Sequence, residues 1–406
     1  MMVLLTILTT TGAFIILGII VHLYFLAIHG LKVFKDTQES HICDNKSFLV
    51  LIPAHDEELV IKRVINSIRE TDYNQDLIEI VVIADNCTDS TANIASSLDV
   101  VVLERKDHDE KGKGYAITWA LNKLNIDNYD LVSIIDADNV LDKNFFKVTG
   151  GLVENGAEIV QTYFGYYNVA KTTYSYILYW SNLVENYLFY NSRSNLKLHV
   201  FLRGSGMVFK TNILKETPWK IKSVTEDANY SIELITNNRR VHFTTQTKVY
   251  EETLDHIKQS FSQRIRYNSG IISLIKNNSL RLLKQSILKK DLLLLETAFS
   301  LFLLNKPVLL GVSSILLATS LVFGLNSLIS VISLFNIGAI VLYFGLGHFL
   351  NPQKGPLFKT LITMPFYGIY LLIIYILSSF GYKKNNWSKT PRVISDHENT
   401  VSEIFK

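Results

Sequence analysis

Residues 3–29, VLLTILTTTGAFIILGIIVHLYFLAIH, are almost free of charge. A membrane crossing needs roughly 20 such residues, and few other structures can absorb an apolar run of that length. The stretch has no basic leading region and no small-residue cleavage site, so an anchor fits it better than a cleaved leader. Lys32 and Lys35 follow it, which predicts that the next part of the chain is cytoplasmic. Three further apolar blocks stand near the other end, at about 305–326, 328–349 and 359–380. Just before them NNSLRLLKQSILKKDLLLL is amphipathic. Leu280, Leu283, Ile287 and Leu288 share one helical face, while Arg281, Lys284, Lys289 and Lys290 lie mostly elsewhere. A basic amphipathic helix in that position lies in the membrane interface. One crossing before the soluble part and three after it would leave the C-terminus outside. The tail KKNNWSKTPR, with Trp387 and Arg392, is nevertheless basic, as cytoplasmic segments are. Either 291–304 helps to form an extra crossing or one block does not span.

These features divide the chain into an N-terminal transmembrane helix (1–31), a soluble domain (40–275), an amphipathic interfacial segment (276–304), C-terminal transmembrane helices (305–382) and a polar, basic tail (383–406). Composition agrees. The 406 residues are 48% hydrophobic and 19% charged, with a mean hydropathy of +0.20. That is high for a soluble enzyme and low for membrane helices alone. A net charge of +3 argues against a dedicated nucleic-acid binder. Cys43 and Cys87 have no paired spacing from which to build a disulfide framework or a zinc site.

The soluble part predicts an α/β domain. Continuous apolar, β-branched runs recur at 48–52, 78–84, 100–103 and 131–136, as in strands buried on both faces. EELVIKRVINSIRE, TANIASSL and YAITWALNKL supply helices between them. Strand–helix alternation implies a parallel sheet, which binds ligands beyond the carboxyl ends of its strands. At those ends stand PAHDEE (53–58), DNCTDST (85–91) and DADN (136–139). One acidic loop is an ordinary solvated turn; three on one rim indicate a site. Neither G-x-G-x-x-G nor G-x-x-x-x-G-K-[ST] is present. KGKG (111–114) alone reads as a flexible turn.

DADN raises its own question. If Asp136 and Asp138 extend the strand, they point to the same face and repel each other. A divalent cation, basic side chains or solvent must then separate them.

The order PAHDEE, DNCTDST, KGKG, DADN, RGSG (203–206), TED (225–227) and QRIRY (263–267) resembles the family 2 glycosyltransferases. It is most similar to the membrane-embedded branch of cellulose, hyaluronan and poly-N-acetylglucosamine synthases. The resemblance covers about residues 46–270. It implies a GT-A fold, a nucleotide-sugar donor (a UDP-sugar) and Mg²⁺ or Mn²⁺. Carried over residue by residue, it implies that Pro53, Ala54, Asp56 and Glu57 shape the nucleotide-binding loop. Asp85 would accept hydrogen bonds from uracil or ribose, and Lys113 would approach the uracil or the diphosphate. Asp138 would hold the metal with Asp136 nearby, so the charge missing from DADN would be the ion. Asp227, with Glu226 beside it, would be the acceptor base. Alone, TED reads as a helix start, with Thr225 before an acidic first turn. Gln263 and Arg266 would contact the diphosphate, with Arg266 offsetting charge on the leaving group. Arg203, Gly204, Ser205 and Gly206 would border the acceptor terminus. Tyr267 stands where the family has Trp; its smaller ring could still stack on a sugar. The aromatic-rich stretch 163–190 either lines an acceptor path or packs a long helix.

The resulting expectation is an inverting transferase in the cell's plasma or inner membrane, with its catalytic domain cytoplasmic. It would extend a polysaccharide through β-linkages, with an accessory membrane subunit as a further partner. Transfer of one sugar to a lipid acceptor is the alternative, because the apolar helices offer little material for a long translocation pore. A sugar-nucleotide sensor without activity is the reading from another class, and the presence of every acidic motif argues against it.

Overall fold

The computed structural model describes residues 2–35, 42–166, 172–220, 225–251, 257–350 and 355–381. The basic tail lies outside them. Two compact units emerge, and neither is continuous in sequence. One spans Thr37–Asn168 and Arg193–Thr253; the other takes Met1–Asp36, Val169–Ser192 and Leu254–Thr390.

The first unit is built on an eight-stranded sheet: β1 (Phe48–Ala54), β2 (Ile78–Asp85), β3 (Val101–Arg105), β4 (Leu131–Ile134), β5 (Val140–Leu141), β6 (Ile159–Tyr166), β7 (Met207–Lys210) and β8 (Val241–Glu251), in the order β3-β2-β1-β4-β7-β6-β8-β5. The four runs read from sequence form the parallel half, β3-β2-β1-β4. Beyond β4 the sheet is mixed, because β7 runs antiparallel to both β4 and β6. A wholly parallel sheet is therefore corrected to a mixed one within the expected GT-A class. Every residue from Phe48 to Ile52 is fully buried, which explains a run with no polar alternation. One face packs on the helix Ile61–Arg69, whose Ile61, Val64, Ile65 and Ile68 recur at helical spacing. Burial of each such side chain contributes about 1.5–3 kcal/mol.

Topology gathers the polar loops on one edge. The carboxyl ends of β1, β2 and β4 lie together because the three strands are parallel. Met207, the first residue of β7, pairs with Ile134, the last of β4, and also with Gln161 of β6. The loop before β7, RGSG, is thereby delivered to the same edge. β4 stops at Ile134, so DADN is not strand. Asn139 N–H donates to Asp136 O at 3.1 Å, closing a turn. The same-face geometry expected for the two aspartates on a strand does not apply.

The second unit is helical. Among the described residues, three helices are long and apolar enough to cross a membrane, Met2–Leu31, Ser327–Phe349 and Leu357–Ser379, and they indicate membrane association. The block expected at about 305–326 is the shorter helix Val308–Val322. At 15 residues it is too short to cross alone and qualifies as a span only together with Leu292–Asn305, from which it is bent by 78°. Glycines let helices of this unit approach closely. A Cβ on Gly368 would stand 2.4 Å from Leu310 Cβ, and one on Gly347 would stand 2.6 Å from Trp180 O. Residues 163–190 divide between the two units. Their second part forms the helix Thr173–Leu183 and a π-helix, Val184–Tyr190, with Trp180 and Phe189 fully buried.

Candidate active site

The loops after β1 and β2 are bound to each other. Asp56 sits at φ +54°, a left-handed conformation that Asp tolerates better than most residues. Its Oδ1 accepts from Thr88 N–H at 2.6 Å and Asp89 N–H at 3.3 Å. Burial would raise its pKa, but those amides and the neighbouring His55 outweigh burial and hold it below the ordinary value. Glu57 N–H donates to Thr91 Oγ1 at 2.8 Å, and Ser90 N–H donates to Glu58 Oε2 at 3.0 Å. Pro53 and Ala54 close β1, and Ala54 O faces Cys87 Sγ at 3.5 Å. The acidic groups thus fix the shape of the loop expected to hold the nucleotide.

Asp85 is buried, and its Oδ1 receives Arg105 Nη1 at 2.6 Å. Arg105 is also buried and reaches Asp107 Oδ2 at 3.0 Å. Sequence reasoning did not single out Arg105. The available signal was a cation ending the apolar run of β3, in register with Asp85.

At the centre of the edge is Lys113, the first residue of the helix Lys113–Lys123. Its ammonium forms an ion pair with Asp136, donates to Gly204 O at 2.7 Å and lies 3.9 Å from Glu226 Oε1. The cation facing Asp136 in this structure is therefore a lysine. Burial would lower the Lys113 pKa, but Asp136 and Glu226 outweigh it and raise the value. RGSG is tied down on several sides. Asp136 N–H donates to Ser205 Oγ at 3.0 Å, Ser205 Oγ donates to Asn139 Oδ1, and Arg203 N–H donates to Gln161 Oε1 at 2.8 Å. Asn139 and Gln161 are fully buried; Asn139 closes the DADN motif but was assigned no role there, and Gln161 lies outside the motifs. Gly204 and Gly206 have φ of +84° and +65°, which an L side chain rarely adopts. A Cβ on Gly204 would lie 3.4 Å from Asp227 Oδ2, so the loop runs directly beside the candidate base.

Glu226 and Asp227 open the helix Glu226–Thr236, with Thr225 at its N-cap position. Thr225 makes no side-chain capping bond there; instead Asp227 Oδ1 accepts its neighbour Ala228 N–H at 2.7 Å. Glu226 is only 7% exposed. Burial, then the Asp227 charge, push its pKa up to about 8 against the opposing pull of Lys113. Burial also raises Asp227, again opposed by Lys113 and by the Ala228 amide. The two acids differ in role. Burial and the neighbouring Asp227 charge favour the protonated form of Glu226, while Lys113 and the Ala228 amide favour the ionised form of Asp227.

Among the described residues, two groups suit a cation. Asp136 and Asp138 flank the buried Ala137, and Asp138 Oδ1 accepts from Asn139 Nδ2 at 3.2 Å. Their hard oxygens fit Mg²⁺ or Mn²⁺, ions that bind through one or two carboxylates and substrate phosphates. With Lys113 against Asp136, Asp138 is the better placed ligand. Asp56, Cys87 and Asp89 also bring ligand atoms within 4.8 Å of one another. Burial raises the Cys87 thiol to about 11, and Asp89 Oδ1 already accepts from Thr91 N–H at 2.9 Å. That group acts as a loop clamp.

Gln263, Arg266 and Tyr267 belong to the helical unit, on the helix Ile257–Lys289. Tyr267 is 49% exposed. The remaining expected site residues share the sheet edge of the first unit.

Comparison with known proteins bears on family and fold. The family model described as "Glycosyltransferase like family 2" matches residues 45–270. The probable glycosyltransferase YdaM of Bacillus subtilis (strain 168) is 24% identical over 230 residues, covering 54% of this chain and 54% of its own length. A probable glycosyltransferase of Sulfolobus acidocaldarius is 24% identical over 251 residues, covering 59% and 52% respectively. The chain spans about half the length of the curated relatives it matches. Among solved structures, the mannosyltransferase PcManGT from Pyrobaculum calidifontis, in complex with GDP-Man and Mn²⁺, is similar with a TM-score of 0.60 at 17% identity. The alignment covers 94% of this chain and 100% of that one. At that identity the likeness speaks for the fold.

Proposed function

Because the chain belongs to the glycosyltransferase-like family 2, we propose that it transfers a sugar from a nucleotide-sugar donor to an acceptor hydroxyl at a membrane, with inversion. The observation that carries this reading is Asp227. It sits at the sheet edge beside Gly204, next to the buried Glu226, with the Lys113 charge acting on both acids. Asp227 takes the acceptor proton as the acceptor oxygen bonds to the anomeric carbon. The bond from that carbon to the phosphate oxygen breaks, and its electron pair leaves with the nucleoside diphosphate. A single displacement converts an α-linked donor into a β-linkage. Asp138, with Asp136 nearby, would hold the divalent ion, whose chemistry there is to offset charge on the leaving diphosphate. Lys113 keeps Asp136, the RGSG loop and Glu226 in fixed relation.

Within the family we place the chain beside the polysaccharide synthases, on the order of its motifs. The acceptor is then a growing polysaccharide. The small number of candidate spans favours a second reading, transfer of one sugar to a lipid. Purified protein in detergent should release nucleoside diphosphate from one member of a set of UDP- and GDP-sugars. GDP-sugars belong in the set because PcManGT was solved with GDP-Man. No turnover with any donor would refute the proposal. Mass spectrometry of the product separates a ladder of lengths from a single addition.

A further inference from the structure

The helix Ile257–Lys289 continues well beyond the Gln263–Tyr267 motif, and its C-terminal part has two faces. Asn278, Leu282 and Ser286, spaced by four, are buried in the helical unit. The other side leaves large apolar groups uncovered: Leu280 is 75% exposed, Ile287 67% and Leu288 71%, with Leu283 partly so. Single exposed leucines are ordinary, but a contiguous stripe of them marks a contact surface. Lys276, Arg281, Lys284, Lys289 and Lys290 are exposed among them, and no acidic residue lies between Lys276 and Lys290. Directly after the helix, Leu292–Asn305 begins the bent apolar pair. A membrane boundary is therefore expected at this end of the helix.

We propose that residues 276–290 dock on an anionic lipid surface. Leu280, Leu283, Ile287 and Leu288 enter the acyl boundary, while the long cationic side chains extend to headgroup phosphates. Charge selects this occupant. A second copy meeting this face about a twofold axis would set its cations against an identical cationic set. A neutral bilayer would satisfy the leucines but not the cations. Near an anionic surface each Lys or Arg contributes about 1 kcal/mol, or about fivefold in the docked-to-undocked ratio. The helix is unbroken from Gln263 to Lys289, so docking anchors the element that carries Gln263, Arg266 and Tyr267. Lipid-dependent turnover is a consequence that rests on the proposed function; the docking itself does not.

The test uses the full chain with Cys87→Ser and a nitroxide at Ile287→Cys, reconstituted at one copy per nanodisc. Collision with oxygen and with a water-soluble nickel complex reports depth. In discs containing phosphatidylglycerol the label should be reached by oxygen and shielded from nickel. In phosphatidylcholine discs it should face water. Lys284→Gln should lower the docked-to-undocked ratio about fivefold in anionic discs. Joint replacement of Arg281, Lys284, Lys289 and Lys290 by Gln should restore the neutral-disc result. Nickel access in both lipids would overturn the proposal. So would equal shielding in both lipids that survives the Gln replacements, or shielding that appears only with two copies per disc. Because the readout is spectroscopic, loss of docking and loss of transferase activity are separate results.

Discussion

Asp227 and Glu226 adjoin but should respond differently to substitution. Asp227→Asn keeps size and hydrogen bonding but cannot take a proton. If Asp227 is the base, kcat should fall by about 10²–10⁴-fold with donor affinity near wild type. A folded Asp227→Asn protein with near-normal turnover would reduce Asp227 to a structural role at the helix start. Glu226→Gln imitates the protonated acid, so turnover at neutral pH should largely survive. Its effect should appear in stability. The folded-state pKa of Glu226 is raised to about 8 from an ordinary 4.5. Between those values the native state binds the extra proton, and stability falls as pH rises. Wild type should therefore lose stability relative to Glu226→Gln as pH is raised from about 5 to about 8, with a constant gap above that. Parallel unfolding curves of the two proteins across that window would contradict a buried, protonated Glu226. Lys113→Met removes the cation facing both Asp136 and Glu226. We expect kcat to drop more than donor KM rises, because the residue positions other groups. Asp138→Asn should weaken metal-dependent donor binding, and a chelator should abolish turnover. Full activity in excess chelator would remove the metal role from the DADN turn.

At the scale of elements, the parallel half of the sheet was legible because strands buried on both faces need unbroken apolar runs. The rim loops were legible because parallel strands place their carboxyl ends together. The mixed half was not. β7 holds only Met207–Lys210, too short for periodicity to declare, and its antiparallel direction depends on pairing with β4 and β6. The DADN question was well posed but assumed a strand two residues too long. Asp136 also pairs with Lys113, an ion pair across 23 positions that no local pattern reveals. Residues 257–289 were divided at 275 by composition, yet they form one helix. RGSG shows how an element serves the site. At Gly206 a Cβ would stand 2.2 Å from Thr162 Oγ1, on a backbone with φ +65°. Gly206→Ala should cost about 1–3 kcal/mol from backbone strain alone. Turnover should fall even where the protein remains folded, because Ser205 is bonded to Asp136. Wild-type melting and activity in Gly206→Ala would show the loop to be dispensable.

At the scale of the whole molecule, the candidate spans and the bent pair together bear on how often the chain would cross a membrane. Parity and charge disagreed while three C-terminal crossings were counted. The 78° bend between Leu292–Asn305 and Val308–Val322 suggests a resolution. Lys306 stands at that bend. It is 2% exposed, with its ammonium 2.8 and 2.7 Å from the two oxygens of Glu185 and 3.5 Å from the Phe189 ring centroid. A buried cation is costly unless paired, and here the pair holds the bend against the π-helix Val184–Tyr190. A bend pinned in this way favours a segment that turns back. Two candidate crossings would then follow the sheet domain, Ser327–Phe349 and Leu357–Ser379. With two such crossings, the positive-inside tendency predicts the basic tail and the sheet domain on the same side. A protease-cleavable tag after Lys406 and another within the exposed 108–111 turn should be cut from the same face of oriented vesicles. Cleavage of the two tags from opposite faces would mean that the bent pair crosses. Lys306→Met should leave an unpaired Glu185 and cost about 3–5 kcal/mol, whereas Lys306→Met with Glu185→Leu should recover much of that loss. If the double variant is no more stable than the single one, the pair does not hold the bend.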